Sequence, residues 1–278
     1  MKIDKVINNN IVSSFDENGT EIVVMGRGLG FKKKPGQTID ESMIEKVFRM
    51  GDKAETDHLK SLLAQMPLEH IQISDEIITY AKVKLGKELN KNIYITLTDH
   101  INFAIERSSK GYPYKNALLW EIKKFYHQEY EIGQYGVELI KQRLGCELSE
   151  DEAGSIALHI VNAEFNTSMT HAQDITRLIQ EIIKIVKYHY TMIVNEETIH
   201  YERFVTHMKF FAQRLLEGKM LKSTDQTFLD MIREQYKQDY ECTLKIKEYV
   251  QKEFHAVVTE EEQVYLTVHL HRITSIHE

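Results

Sequence analysis

The feature that most constrains the fold is an internal repeat with a period of about 107 to 110 residues. The segment that begins at Thr98 reads TDHINFAIER and the segment that begins at Val205 reads VTHMKFFAQR, so both contain H-x-x-F-x-x-x-R. Further along, LSEDE at Leu148 and VTEEE at Val258 each contain the Ser/Thr-x-x-Glu capping box of a helix N-terminus. A duplication of this length predicts two helical modules of similar size and not a solenoid of short repeats.

The rest of the sequence leaves room for a further domain. With 278 residues the chain exceeds the usual size of one domain, and 42% hydrophobic residues are enough to fill cores. Only 3 prolines and 13 glycines occur, and 28% of the residues are charged, which is typical of a folded, largely helical protein. We therefore predict a multidomain protein dominated by all-α helical-bundle domains.

The first 50 residues have a different pattern. Short β-branched runs alternate with turn residues, which indicates a small antiparallel β domain. The predicted strands are Lys2–Ile7, Ile11–Phe15, Glu21–Met25 and Ile44–Phe48, and the Asn18-Gly19 step suits a hairpin turn. Because a sheet of about 50 residues buries little surface alone, we also infer dimerisation through one sheet face.

Helical periodicity begins after residue 50. One apolar stripe with helical spacing consists of Ile73, Ile77, Ile78, Ala81 and Leu85. The polar segment Gly51–His58 is a candidate linker, for which a helical and a mobile connector are both open. The polar run Asn166–His171 is the expected junction between the two repeats.

Charge, cysteine content and hydropathy narrow the class of protein. The net charge is −7, but residues 1–37 carry six Lys or Arg against four Asp or Glu, so a nucleic-acid contact belongs in this part. The two cysteines lack the spacing of a zinc or disulfide framework. No apolar run has the length of a signal peptide or a membrane span, so we expect a cytoplasmic protein without membrane insertion.

Four of the 13 histidines occupy equivalent positions in the repeat, namely His100, His159, His207 and His269. Imidazole is a nucleophile near pH 7 and can carry a phosphoryl group on nitrogen. A single histidine on an amphipathic helix is more often a packing residue than a functional one. The recurrence of two positions in both copies favours a functional role, although duplication alone would also preserve packing.

Each copy also contains an arginine near its first histidine. Arg107 and Arg214 follow His100 and His207 by seven residues, which places each pair on nearly the same helix face. Such an arginine can attract a phosphoryl group or an acidic partner, and it can equally be a solvated surface residue.

The sequence predicts no metal site, no cofactor and no catalytic residues. An HExxH motif is absent, and His269 and His271 are two residues apart, so they point to different sides of a helix. The acidic run Glu260–Glu262 is better explained by the preference of helix N-termini for negative charge than by hydrolytic chemistry.

Candidate nucleic-acid contacts gather in the N-terminal part. Phosphate donors, amide groups that read base edges and an aromatic stacking surface are supplied by Lys5, Asn8, Asn10, Arg27 and Phe31. The glycines that flank Arg27 would allow a close backbone approach. Asn-rich turns are nevertheless common, and Lys32–Lys34 can simply form a solvated edge.

Longer motifs connect the chain to a family. The opening KVINNNIV, the segments VVMGRGLGF and LTDHINFAI, and the pair DEAGSIALHIVNAE and FVTHMKFFAQRL resemble transcriptional antiterminators of the BglG/SacY family, over essentially the whole chain. The resemblance implies a co-antiterminator RNA-binding domain with its linker at residues 1–57. Two homologous phosphotransferase-system regulation domains (PRDs) would follow at 58–169 and 170–278.

The resemblance also implies a mode of action. A homodimer would bind an RNA hairpin in a leader transcript and prevent terminator formation, through Lys5, Asn8, Asn10, Gly26, Arg27 and Phe31. Phosphorylation of His100 or His159 through the sugar permease, enzyme II, would inactivate the protein. Phosphorylation of His207 or His269 by the phosphocarrier HPr would activate it. The inducing sugar stays open, with an aryl-β-glucoside or a β-glucan as a guess.

Two other function classes are open at this point. A phosphoryl-relay component of a phosphotransferase would use the same histidines, but it has no need for a basic, Asn-rich front domain. A DNA-binding activator with the same regulatory modules needs a helix-turn-helix segment, and the strand-like first 50 residues offer none. We therefore predict a regulator and not an enzyme.

Overall fold

The computed structural model describes residues 1–166, 169–191, 196, 198–222 and 226–275. The chain divides into two compact units, Met1–Met169 and Thr170–Glu278. Unit 1 contains the N-terminal sheet and the first copy of the repeat, and unit 2 contains the second copy. The expected junction Asn166–His171 includes residues 167 and 168, which lie outside the described residues.

A four-stranded antiparallel sheet with the strand order β1-β2-β3-β4 opens unit 1. Its strands are β1 (Ile3–Val6), β2 (Ile11–Phe15), β3 (Glu21–Met25) and β4 (Lys46–Phe48). The predicted small β domain is therefore confirmed. In the hairpin between β2 and β3, the Asp16 carboxylate accepts two backbone N–H groups, and Gly19 takes a positive φ of +75°.

The helices of unit 1 are α1 (Lys53–Gln65), α2 (Leu68–Leu85), α3 (Ile93–Ser109), α4 (Leu119–Phe125), α5 (His127–Leu144) and α6 (Glu150–Phe165). The candidate linker is helical, because α1 begins inside it at Lys53 and the side chain of Asp52 accepts the N–H of Glu55 at 2.8 Å. The predicted stripe on α2 lies in a core that α3, α5 and α6 complete, with Ile73 and Ile77 fully buried.

Both faces of the sheet are covered within unit 1. On one face Phe48 and its neighbours pack against apolar side chains of α1, α2 and α3, among them Leu63 and Ile95. Leu29 and Ile39, from the segment between β3 and β4, cover the other face. Dimerisation through one sheet face, like the homodimer itself, stays a prediction.

Unit 2 consists of helices in its described part. They are α7 (Met169–Tyr190), α8 (Ile199–Leu216), α9 (Gln226–Gln235), α10 (Lys237–Phe254) and α11 (Glu260–Thr274). Helix α11 packs on α8 and α10, as α6 packs on α3 and α5 in unit 1. No helix within the described ranges is both long enough and apolar enough to cross a membrane.

Candidate phosphoacceptor pairs and nucleic-acid interface

Each unit brings its two repeat histidines into ring contact. In unit 1 the rings of His100 on α3 and His159 on α6 have centroids 4.8 Å apart, with 37° between their planes. In unit 2 the rings of His207 on α8 and His269 on α11 are stacked, with centroids 3.5 Å apart and 21° between planes. Helix packing therefore brings together two histidines that are 59 residues apart in the sequence in unit 1 and 62 residues apart in unit 2.

Burial favours the neutral form of three of these imidazoles, His159, His207 and His269. It lowers the pKa of His159 well below its ordinary value, with the charge of His100 as a second cause. Burial also lowers the pKa of His269 to about 4, helped by His207 and Arg272. The pKa of His207 is lowered for similar reasons, since burial acts first and the charge of Arg272 second. A neutral imidazole keeps the lone pair with which it attacks phosphorus.

A buried glutamate holds the repeat arginine of each unit. Arg107 donates to Glu152, and its guanidinium carbon lies 4.2 Å from the ring centroid of Tyr114. Arg214 binds Glu262 with two hydrogen bonds, Nε to Oε1 at 2.7 Å and Nη2 to Oε2 at 2.8 Å. Both arginines are half-buried, so they are not solvated surface residues. The acidic partner of each arginine is thus a glutamate of the same unit.

The two predicted helix starts are confirmed, because α6 begins at Glu150 and α11 at Glu260, but the capping boxes are not formed in full. Thr259 does cap its helix, because its Oγ1 accepts the N–H of Glu262 at 3.3 Å, whereas the side chain of Ser149 makes no capping bond. Both glutamate side chains are buried and bind arginine instead. A buried carboxylate needs such a cation, since losing water without compensation is costly.

The two histidine pairs have different polar neighbours. His100 Nε2 lies 3.2 Å from Oε2 of Glu152. His207 Nδ1 lies instead 2.8 Å from the hydroxyl of Tyr265, and that hydroxyl donates to the backbone oxygen of His207 at 3.4 Å. The phenol oxygen is then free to accept the proton of Nδ1, which leaves the lone pair of this imidazole on Nε2. In unit 1 the position of Tyr265 is taken by Ser155.

A cavity of about 440 Å³ opens at the histidine pair of unit 2. It is lined by His200, Arg203, Phe204, His207, His269, Arg272 and Ser275. Sequence reasoning missed Arg203 and Arg272. The signal was present, because Arg203 comes four residues before His207 and Arg272 comes three residues after His269, which are same-face spacings on a helix.

The predicted nucleic-acid contacts lie mostly in two loops that the sheet brings together. Gly26 N–H donates to the backbone oxygen of Asn10 at 2.9 Å, which joins the β1–β2 turn to the segment after β3. Arg27 is exposed on that segment, and Phe31 is 55% exposed with Lys32 Nζ 5.3 Å from its ring centroid. Lys5 is exposed on β1, outside the two loops.

Three of the predicted contacts have structural roles. Asn8 accepts the N–H of Asn10 at 2.9 Å and donates its amide to the backbone oxygen of Leu63 on α1 at 3.1 Å, so its side chain is engaged within unit 1. Asn10 in turn accepts the N–H of Gly28 at 2.9 Å. At Gly26, a Cβ atom would lie 1.9 Å from the backbone oxygen of Met43, so only glycine fits. These three residues shape the loops that carry Arg27 and Phe31.

Metal chemistry finds no support in the described part of the chain. Among those residues no group of three or more His, Cys, Asp or Glu side chains is placed to hold a metal ion.

Comparison with known proteins assigns these units to known domains. Residues 1–57 match the model of the CAT RNA binding domain, and residues 75–163 and 180–273 match that of the PRD domain. The chain is 52% identical to the transcription antiterminator LicT of Bacillus subtilis (strain 168), over 98% of this chain and 99% of LicT. The chain belongs to the BglG/SacY family of transcription antiterminators.

Other antiterminators of the family agree with this assignment. The β-glucoside operon antiterminator of Dickeya chrysanthemi is 46% identical, over 99% of this chain and 97% of that protein. A crystal structure of GlcT CAT-PRDI shares 35% identity with a TM-score of 0.52, covering 59% of this chain and 97% of the GlcT chain. The predicted order of one RNA-binding β domain and two helical PRDs is confirmed. These relatives are regulators of transcription and not enzymes, and the β domain of this antiterminator has no helix-turn-helix.

Proposed function

We propose that this antiterminator binds an RNA hairpin in a leader transcript, prevents formation of a terminator there, and is controlled by phosphorylation of His100, His159, His207 and His269. The observation that carries the control is the pairing of two histidines across facing helices in both units, at 4.8 Å and 3.5 Å between ring centroids. Packing alone requires no such pair of imidazoles in both copies. The proposed domain boundaries are residues 1–57, 58–169 and 170–278.

The RNA-binding surface is proposed at the two joined loops. Arg27 supplies a guanidinium for phosphate or base edges, and the exposed ring of Phe31 supplies a stacking platform for a base in a loop or bulge. Lys5 adds a further positive charge on β1. Asn8, Asn10 and Gly26 contribute by holding these loops, and the free amide nitrogen of Asn10 is the one of these groups that is left to donate to RNA.

The regulation is proposed to have opposite signs in the two PRDs. Phosphorylation of His100 or His159 through the sugar permease, enzyme II, inactivates, and phosphorylation of His207 or His269 by HPr activates. A phosphoryl group adds roughly −1.5 to −2 charges and strong hydrogen-bond acceptors, which is enough to make or break a contact between helical domains. The readout is the pairing of two RNA-binding domains in a homodimer.

The setting of this regulation follows from the family. An antiterminator acts on a transcript during its synthesis, so we place the protein in the cytoplasm and assign it no catalytic residues. The name of the Dickeya chrysanthemi relative supports a β-glucoside, such as an aryl-β-glucoside or a β-glucan, as the inducer.

The RNA assignment is tested with the full chain and a leader hairpin that overlaps a terminator. Gel shifts are recorded for wild type, Arg27→Ala and Phe31→Ala, with Lys115→Ala as a control that removes one exposed charge elsewhere in unit 1. Loss of the stacking surface of Phe31 is worth about 1–3 kcal/mol, or roughly 5- to 150-fold in affinity. Wild-type affinity of both folded variants would show that the RNA surface lies elsewhere.

A further inference from the structure

The cavity at the histidine pair of the second PRD is framed by two cations. Arg203 comes from α8 and Arg272 from α11, and the two histidines His207 and His269 form part of the same wall. Its remaining lining residues are neutral or histidine, and among the described residues no acidic side chain lines it. The cavity therefore combines positive charge with two nucleophilic rings.

Both arginines of this cavity are available for a ligand. Within the described ranges, neither Arg203 nor Arg272 has a carboxylate at ion-pair distance, although Arg214 of the same unit is bound by Glu262. Arg272 is close enough for its charge to lower the pKa of both cavity histidines. Two exposed guanidinium groups without an internal partner are well suited to an oxyanion, which they bind through several N–H donors.

The first PRD lacks this arrangement. The repeat places Thr96 at the position of Arg203 and Asn162 at the position of Arg272. Beside its histidine pair stands the carboxylate of Glu152, 3.2 Å from His100. The groups next to the acceptor rings thus differ between the two PRDs: two arginines line the cavity in the second, and a carboxylate that also binds Arg107 stands there in the first.

We propose that Arg203 and Arg272 form an oxyanion site in the second PRD that holds a phosphoryl group beside His207 and His269, and that the first PRD has no such site. The proposal deepens the proposed function, and it rests on the phosphorylation of these histidines for its second experiment only. It makes the two arginines determinants of how readily the second PRD accepts a phosphoryl group.

The transfer step has a simple balance. The lone pair of a neutral imidazole nitrogen of His207 or His269 forms a bond to phosphorus of an N-phosphorylated donor. The P–N bond of the donor breaks, and its electron pair returns to the donor nitrogen, which takes up the proton that the attacking ring gives up. Arg203 and Arg272 bind the phosphoryl oxygens, whose negative charge they stabilise before and after the transfer.

The first experiment measures the oxyanion site directly, with inorganic phosphate as the probe. NMR spectra of histidine-labelled full chain are recorded during titration with phosphate, and with chloride at the same ionic strength. We expect phosphate, and not chloride, to shift the signals of His207 and His269 in wild type. The shift should vanish in Arg203→Gln with Arg272→Gln and persist in part in Arg203→Lys with Arg272→Lys, which keeps the charge. Arg177→Gln, an exposed arginine of α7, is the matched control.

Equal phosphate shifts in wild type and in the double glutamine variant would overturn the proposal. Equal shifts by phosphate and chloride in wild type would overturn it as well, since they report a general salt effect. Both arginines are exposed, so the variants are expected to fold, and the lysine pair separates loss of charge from loss of structure.

The second experiment measures transfer from phosphorylated HPr and from phosphoramidate, a donor that needs no protein contact. The double glutamine variant should lower the rate of phosphorylation of the second PRD at least tenfold with both donors and leave the first PRD unchanged. An unchanged rate in the second PRD would contradict the proposal. If no histidine accepts a phosphoryl group in wild type, the proposed function is wrong, and the phosphate titration still decides whether the oxyanion site exists.

Discussion

Oε2 of Glu152 lies 3.2 Å from Nε2 of His100. Burial alone would raise the pKa of this carboxyl, but His100 and Arg107 outweigh burial and lower it, so Glu152 stays ionised. Its counterpart Glu262 gives both oxygens to Arg214, at 2.7 Å and 2.8 Å, and accepts the backbone N–H of Leu221 at 2.9 Å. The same glutamate of the repeat therefore binds an arginine in both PRDs, and in the first PRD it also lies beside a histidine.

The Arg214–Glu262 pair is expected to be a major contribution to the stability of unit 2. Arg214→Ala leaves a fully buried carboxylate without its cation, and breaking such a pair costs about 3–5 kcal/mol of unfolding free energy. Urea unfolding of the full chain, followed by a probe in unit 2, measures the loss. Lys219→Ala removes a largely exposed pair with Glu217 and should cost less than about 1 kcal/mol. If Arg214→Ala lost as little unfolding free energy as Lys219→Ala, the Arg214–Glu262 pair would not be a major contribution to stability.

Tyr265 is expected to decide which nitrogen of His207 carries a phosphoryl group. Its hydroxyl is hydrogen-bonded to Nδ1 of His207 at 2.8 Å, so the wild-type protein should carry the phosphoryl group on Nε2 alone. Tyr265→Phe frees Nδ1 at a cost of about 1 kcal/mol for one hydrogen bond, and a mixture of the two phosphohistidine isomers should form. Phosphorus NMR of the protein after treatment with phosphoramidate distinguishes the isomers.

The matched control for this prediction is Tyr240→Phe, which removes the hydroxyl bonded to Gln263 at 3.0 Å in the same unit. It should leave the isomer ratio at His207 unchanged. A wild-type ratio in Tyr265→Phe would show that the hydroxyl does not select the nitrogen.

Unit 2 should lose stability in mild acid because of His269. Burial lowers the pKa of this imidazole to about 4, while the unfolded chain has the ordinary value near 6.5. Between these two pH values His269 is protonated in the unfolded state and neutral in the folded state. Its contribution to the free energy of unfolding is therefore fully present above pH 6.5 and is lost as the pH falls towards 4. The full difference corresponds to about 3 kcal/mol by linkage. Urea unfolding at pH 7 and pH 5 tests it, and His269→Gln should flatten the pH dependence.

The sequence predicted those parts of the fold that depend on local pattern. Strand β2 and the helical stripe with Ile73 and Ile77 follow from periodicities that short windows contain. Glu262 was misassigned because its place in the first turn of a helix is a local signal, whereas its true partner Arg214 is 48 residues away. Arg203 and Arg272 were missed for the same reason, since only the packing of α8 on α11 brings them to one cavity.

Phosphate mimics in the two PRDs should have opposite effects on antitermination. In His207→Asp with His269→Asp, the two carboxylates lie in the cavity that Arg203 and Arg272 line, and the two cations stabilise their negative charge. This variant should favour the RNA-competent dimer. Aspartate at His100 stands beside the ionised Glu152, so like charges repel and the packing of the first PRD is disturbed. Readthrough of a terminator reporter in cells without the phosphocarrier, together with the dimer mass in solution, measures both effects.

Asparagine variants at the same positions separate charge from size. His207→Asn with His269→Asn should stay as inactive as wild type in those cells, and His100→Asn should disturb the first PRD less than His100→Asp. Aspartate has one negative charge and a shorter reach than phosphohistidine, so partial activation is expected. If the aspartate pair in the second PRD stays inactive and monomeric while His100→Asp raises readthrough, the signs are reversed. The proposed division between an inhibitory first PRD and an activating second PRD then fails.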